Sequence, residues 1–467
     1  MRRPLIALAS CAVLLVGGAA SANPVVPVSP MVPDVPGTTV TSANVRHLGT
    51  IPLEGVGVSM RVVKVGAQVR AFVSGAAGLS IYDATDPRQP LLLGHLPIYN
   101  WENEDIAVSR DGSTAILTEF MSTFYLDVVD VSDPTDPTLT GVLPLGGAHT
   151  AECADPHCDY AFGSEGQTFD LRDRSAPVQL PSDRSWGELT GAPGGGHNLH
   201  QDAAGYWVSD TMPLVMFKET PDPFHLTVLT TGEITRNTAY QHNNIRPRAD
   251  RWKPRPKGAS NSGPLRDGEL LLGEGETNWQ GRCDSGSGAF STWSLAGFDR
   301  HVRMRQLDVL RPVSGDVGDA DAAVNAMGCS GHWFSQRDGA DGSILVAAGW
   351  YEHGTRFLSV NPRTGKIRQI GWFQPQRGAT SAAYWMGKST VWSVDYHSGI
   401  DVLAFDESPA LRPSSAATRA SWLAKAGVVD PLSEALRRLC RAGARATPDE
   451  HARVHALLAA RPRTSGD

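Results

Sequence analysis

The chain writes one phrase twice. LSIYDATDPRQPLLLGHLP occupies residues 79–97, and LDVVDVSDPTDPTLTGVLP occupies residues 126–144. Asp83, Pro87, Pro90, Gly94 and Pro97 each recur 47 residues later, as Asp130, Pro134, Pro137, Gly141 and Pro144. A worn third copy, FDLRDRSAP, sets Asp170, Asp173 and Pro177 at an offset of 87 from Asp83, Asp86 and Pro90. FLSVNPRTGKI from Phe357 and IDVLAFDES from Ile400 are fainter echoes. Self-similarity with a period of roughly 40–50 residues signals stacked units, and for all-strand units a propeller.

One unit reads directly. The alternation in LDVVDV is that of a half-buried strand. The Asp–x–Ser/Thr–Asp–Pro that follows stops it, because carboxylates bond local amides and proline has no amide to offer the ladder. PTLTGVLPL starts another short strand, and upstream EDIAVSRDGSTAILTEF reads as strand, turn and strand. Four strands make one blade. Counting hairpin-plus-phrase units gives seven, starting near Met60, Glu104, His149, His197, His242, His332 and Ser381. The fifth carries a basic, Pro-rich insertion, RPRADRWKPRPKGASNSG, read as a surface loop. The seventh lacks its outer strand, and NVRHLGTIPLEGV (44–56) is read as the N-terminal strand that closes the last blade and hides its edge.

The phrase with its Asp-Pro ending is clearest in LDVVDVSDP (126–134), with LSIYDATDP in support. It resembles the LVIVD-repeat family of secreted β-propeller proteins. That resemblance implies a seven-bladed fold and a secreted or surface location; it implies little about activity.

The ends of the chain read differently. A basic start, an apolar run over 5–16 and the small residues Ala20, Ser21 and Ala22 form a secretory signal, cleaved before Asn23. The expected divisions are a signal peptide at 1–22, a flexible linker at 23–42, the all-β propeller at 43–412 and an α-helical C-terminal extension at 413–467. In the extension, Leu432, Leu436 and Leu439 share a helical stripe, and Thr447, Pro448 and Glu450 form a helix start. Net charge is −7, which gives no support for a nucleic-acid partner. No apolar run is long enough to span a bilayer, so membrane insertion is not expected. In an oxidising compartment Cys153 with Cys158, and Cys283 with Cys329, are the natural disulfide pairs, leaving Cys440 over.

Aligned on their hairpins, four units place histidine at the start of the innermost strand. These are His149, His197, His242 and His332, with Glu104 in a fifth unit and Arg61 assigned to the matching position of the first. The chain holds 14 histidines, so four in one repeat position form a pattern. Second strands return to the same mouth, bringing Glu119, Glu165, Asp210, Glu274 and Asp395. Imidazoles with carboxylates suit a transition-metal ion, the carboxylates ligating or orienting the rings. Glu104 or Glu165 would act as general base and Arg61 would hold an anionic substrate. Trp279, Trp350, Tyr351 and Tyr396, with His353 and His397, would form aromatic walls for a ligand. His200, three residues beyond His197, is a second choice. A ring of polar side chains that merely satisfy one another fits the same pattern. Two functions follow: a secreted module binding a small molecule or protein at one mouth, or a metal-dependent oxidase, lyase or hydrolase. No nucleophile elbow, phosphate loop or calcium loop accompanies them.

Overall fold

The computed structural model describes residues 30–33, 39–53, 55–100, 103–119, 125–144, 148–187, 196–210, 213–220, 225–235, 241–276, 288–312, 329–375, 378–407 and 456. The fold is an all-β propeller, with helix among the described residues confined to single turns. Five consecutive segments, 57–96, 107–143, 151–179, 198–231 and 241–310, each form a four-stranded antiparallel sheet with its strands in chain order. The remaining strands form one ten-stranded sheet. Seven separate blades were expected; five stand alone.

The ten-stranded sheet has a local cause. Its two halves meet at a parallel pairing of Trp333 with Ala382, between the strands Gly331–Asp338 and Thr380–Trp385. A Cβ placed on Gly349 would lie 2.8 Å from the Ser381 carbonyl oxygen. The bare glycine and the small Ala382 therefore let two inner strands approach until their backbones bond.

The N-terminal strand Val45–Ile51 pairs antiparallel with Gly399–Phe405 and covers the edge of the last antiparallel hairpin, as expected. Within the stretch read as a linker, Thr39–Thr41 pairs with Ile367–Pro375, and Val32–Pro33 pairs with Val45–Ile51. The chain start thus touches both halves of the large sheet. The signal peptide lies outside the described residues, as does the helical extension except for Ala456, which is helical and exposed.

Apolar side chains are buried between neighbouring blades. Phe72, Leu79 and Ile81 of the first sheet pack against Ile106, Leu117 and Val129 of the second, all of them inaccessible to solvent. Burying each such side chain is worth roughly 1.5–3 kcal/mol. The repeated phrase latches these blades together. Asp130 accepts hydrogen bonds from the Ser132 N–H (2.9 Å) and hydroxyl (2.6 Å), and Asp133 does the same for Thr135 (2.9 and 2.6 Å). The turn so formed seats its prolines on the glycine of the preceding phrase. A Cβ on Gly94 would lie 2.5 Å from the Pro134 oxygen and 2.9 Å from Pro137 Cδ. Gly141 meets Arg174 and Pro177 of the next blade in the same way. The phrase is scaffold.

Candidate metal centre

Inner strands start at one mouth of the channel, and bulges there re-aim side chains. Register shifts fall between Gln241 and Asn243, and between Gly331 and Phe334, which leaves His242 and His332 out of the ladder. His149 and His197 immediately precede the inner strands Ala151–Cys153 and Asn198–Gln201. The four histidines meet at one carboxylate. Glu104 Oε2 lies 3.3 Å from His149 Nε2, 3.2 Å from His197 Nε2 and 2.9 Å from His242 Nε2; Glu104 Oε1 lies 3.1 Å from His332 Nε2. Trp333 Nε1–H donates to Glu104 Oε2 at 3.3 Å. Successive rings are 4.2, 3.6 and 4.1 Å apart, centroid to centroid, around the arc from His149 to His332.

Burial decides the charges. Desolvation acts to raise the Glu104 carboxyl, but His332, His149, His242 and His197 together hold it well below the usual range. Desolvation, then His149, pushes His197 down to about 4. Desolvation, then His197 and His332, pushes His242 well below the imidazole range. His332 runs the other way: burial opposes its charge, yet Glu104 and Glu276 raise it. The cluster therefore favours an ionised Glu104, makes His332 the most basic of these imidazoles with a resolved shift, and keeps His197 and His242 neutral, the form that ligates a metal.

The donor set fits a metal. Ligand atoms of Glu104, His197 and His242 lie within 4.8 Å of one another, as do those of His242, Glu276 and His332. Ligands at roughly 2.0–2.2 Å from an ion stand at most about 4.4 Å apart, so the triads need only a small inward shift. Neither ring nitrogen of His242 has a well-aligned hydrogen bond among the described residues, although the ring is fully buried. Glu276, which lies 3.6 Å from His242 Nε2 and accepts from the Tyr351 hydroxyl at 2.7 Å, was not anticipated. No local signal marked it: Glu276 lies one residue past the strand Leu270–Gly275, and Glu274, two residues earlier, packs on Gly331 instead.

Arg61 does not belong to this layer, contrary to the sequence alignment. The first blade's register shift falls between Gly57 and Ser59, so Val58 is the equivalent of His242, and Arg61 sits three residues deeper. Its Nη2 donates to both Glu152 oxygens (3.1 and 3.0 Å), and its Nη1 lies 3.5 Å from Asp105. The guanidinium is already held by two carboxyls, which leaves no charge for an anionic substrate and removes it from the metal's surroundings. Glu165 accepts the His149 backbone N–H at 3.1 Å and so positions that loop. His200 lines the channel below the cluster and does not join it.

Four of the second-strand acids, Glu119, Asp210, Glu274 and Asp395, are buried; Asp210 and Glu274 turn toward the next blade, and Asp395 is held within its own. Asp210 takes the Asn244 amide, and Asp395 accepts from the backbone N–H groups of His397 (2.8 Å) and Ser398 (3.2 Å). Glu274 packs on Gly331, where a Cβ would lie 2.6 Å from its Oε1. The expected aromatic walls divide. Tyr351 lies 4.8 Å and Tyr396 6.3 Å from the His332 ring, centroid to centroid, so both flank the cluster. Trp350 is wholly buried in the core with Phe290 and Phe334, and His353 is buried too. Trp279 lies outside the described residues. Cys153 and Cys158 form a disulfide; Cys329 is also disulfide-bonded, with its partner outside the described residues.

No family model and no curated protein matches the sequence. Among solved structures, the chain is similar to the β-propeller domain of Cps50 (Swd1) from Myceliophteria thermophila, with TM-score 0.50 and 12% identity over 78% of this chain and 100% of that one. A candidate 6-phosphogluconolactonase from Bacteroides uniformis gives TM-score 0.47 and 13% identity over 71% of this chain and 89% of that one. The likeness extends to the propeller fold and no further.

Proposed function

We propose that this chain is an exported, metal-dependent propeller enzyme whose channel mouth holds a transition-metal ion on His149, His197, His242 and His332, with Glu104 and Glu276 as the carboxylates of the centre. The observation that carries the reading is the convergence of four imidazole Nε2 atoms from four blades on one buried carboxylate. A ring serving only the fold would pair each nitrogen; Nδ1 of the fully buried His242 has no hydrogen-bond partner among the described residues. Neutral imidazoles with carboxylates favour zinc, copper, iron or nickel over magnesium or calcium. Bound there, the ion would supply Lewis-acid or redox chemistry of an oxidase, lyase or hydrolase. Glu104 would offset its charge, and Glu276, hydrogen-bonded by Tyr351, is placed to take a proton from a molecule on the ion.

The wider reading goes with it. We read the ten-stranded sheet as two blades joined at Trp333–Ala382; that reading would give the seven blades of the LVIVD-repeat family, and the single parallel pairing between its halves supports it. The disulfides support the oxidising, extracellular location that the N-terminal signal predicts. The division at 23–42, 43–412 and 413–467 stands as part of this proposal.

Metal analysis of protein purified without a histidine tag tests the reading. One transition-metal ion per chain, lost in His197→Ala and His242→Ala, is the expected result. A second reading has its own observation: Glu104 already pairs with His332, whose basicity is raised, as in a metal-free binding module. Metal-free protein that folds unchanged and takes up no zinc, copper or iron would establish that module instead.

A further inference from the structure

Beneath the histidine cluster the channel opens into a cavity of about 300 Å³. Trp333 and Asp105 line it and form its boundary with the cluster, since Trp333 Nε1–H donates to Glu104 and Asp105 follows Glu104 in the chain. The volume is at the small end of the roughly 300–1,000 Å³ found for ligand pockets. Apart from Trp333, whose indole reaches Glu104, none of this lining takes part in the metal centre.

The lining is chemically mixed. Its charged groups are spent on one another: the Arg61 guanidinium lies between Glu152, at 3.0 and 3.1 Å, and Asp105, at 3.5 Å. An anion entering here would meet two carboxyls and a cation already engaged, and a cation would have to displace Arg61 from them. Burying a charge without a fresh partner is costly, so both are disfavoured. The other polar groups include the amides of Asn198, Gln201, Asn243 and Asn244 and the hydroxyls of Ser335 and Tyr384. Among them stand the indoles of Trp333 and Trp385; the Arg337 guanidinium covers Trp385 at 4.3 Å from its ring centre, so Trp333 is the indole assigned to a ligand. Burial holds His200 down to about 4, so that side of the wall is uncharged as well.

We propose that this cavity is a binding pocket for a small uncharged polyhydroxylated molecule, of the size of a monosaccharide or cyclitol. Hydroxyls find donors and acceptors on the amides, and the C–H face of the ring lies on indole. The Arg61–Glu152–Asp105 triad acts as the filter that rejects charged analogues. The pocket stands whether or not the mouth holds a metal; with a metal, its ligand lies one indole away from the ion.

Titration calorimetry with a neutral panel (glucose, galactose, mannose, xylose and myo-inositol) against gluconate and glucosamine tests the pocket and its filter. We expect at least one neutral member to bind at millimolar concentration or tighter, and gluconate and glucosamine to bind about tenfold more weakly or not at all. Chelator-treated protein should bind equally well, which separates this result from that of the metal analysis. Ile245→Trp and Ser335→Trp, two independent ways to fill the cavity from its wall, should each abolish binding while thermal midpoint and metal content hold. Binding by none of the neutral panel, preference for gluconate or glucosamine, or unchanged binding in both correctly folded filling variants would overturn the proposal.

Discussion

The rim and the axis of this propeller use the same group, a carboxylate, in opposite ways. At the rim, Asp130 and Asp133 satisfy themselves within two residues, on the backbone and hydroxyl of Ser132 and Thr135. At the axis, Glu104 is bonded by none of its own blade's chemistry; its partners arrive from His149, His197, His242 and His332. A carboxylate satisfied locally in water contributes a turn. One satisfied by side chains from other blades at a buried point on the axis ties the ring together and leaves a donor set poised for an ion. The difference is the range of the partners, and it sets how much each residue matters.

The largest effect that would sharpen this contrast is at Glu104. In metal-free protein, Glu104→Gln should lower stability by about 3–5 kcal/mol, as expected for breaking a buried ion pair, read by urea unfolding. A loss below about 1 kcal/mol would erase the distinction from the rim. Next comes pH. His197 falls to about 4 on folding, from 6.5, so the unfolded chain binds more protons between those values, and stability should drop as pH falls through that window. The loss is roughly 3 kcal/mol at most, at about 1.4 kcal/mol per unit, with His242 adding in the same direction. His332 is raised, so its contribution is complete below the ordinary imidazole value and fades as pH rises through its folded value. Metal-free protein should therefore be most stable near neutrality, and a curve flat between pH 4 and 7 would contradict the charge assignment.

Smaller effects belong to the rim. Gly141→Val, which forces a side chain into Arg174 and Pro177 of the next blade, should cost about 1–3 kcal/mol by overpacking while leaving metal content untouched. Asp133→Ala should be the mildest, with a thermal midpoint close to that of the parent. A collapse of the fold in that variant would show that the rim turns carry more than local order.

The same difference in range explains what could be read beforehand. The rim phrase repeats because each copy faces the same local demands, so the propeller and its strand order were legible from Asp83, Gly94 and their counterparts, whereas the seating of prolines on the preceding phrase's glycine was not. The histidine column was legible for a related reason: a repeat position on an inner strand faces the axis in every blade. Arg61 was misplaced because the bulge at Val58 shifts the register, and nothing in the local sequence marks that shift. The joining of two inner strands depended on Gly349 facing Ser381, a contact between residues 32 apart in the chain. Glu276 escaped notice because its value lies wholly in Tyr351 and His242, which other parts of the chain deliver.

The pairing of Val45–Ile51 with Gly399–Phe405 also dictates an order of events. Until Gly399–Phe405 exists, Val45–Ile51 has beside it only the two-residue strand Val32–Pro33, so the ring is closed by an early segment reaching across most of the nascent chain. Such distant contacts slow assembly. While the wait lasts, a ribbon with one bare edge is open to the wrong chain, which makes the seam, rather than any blade, the place where this protein is most exposed to mispairing.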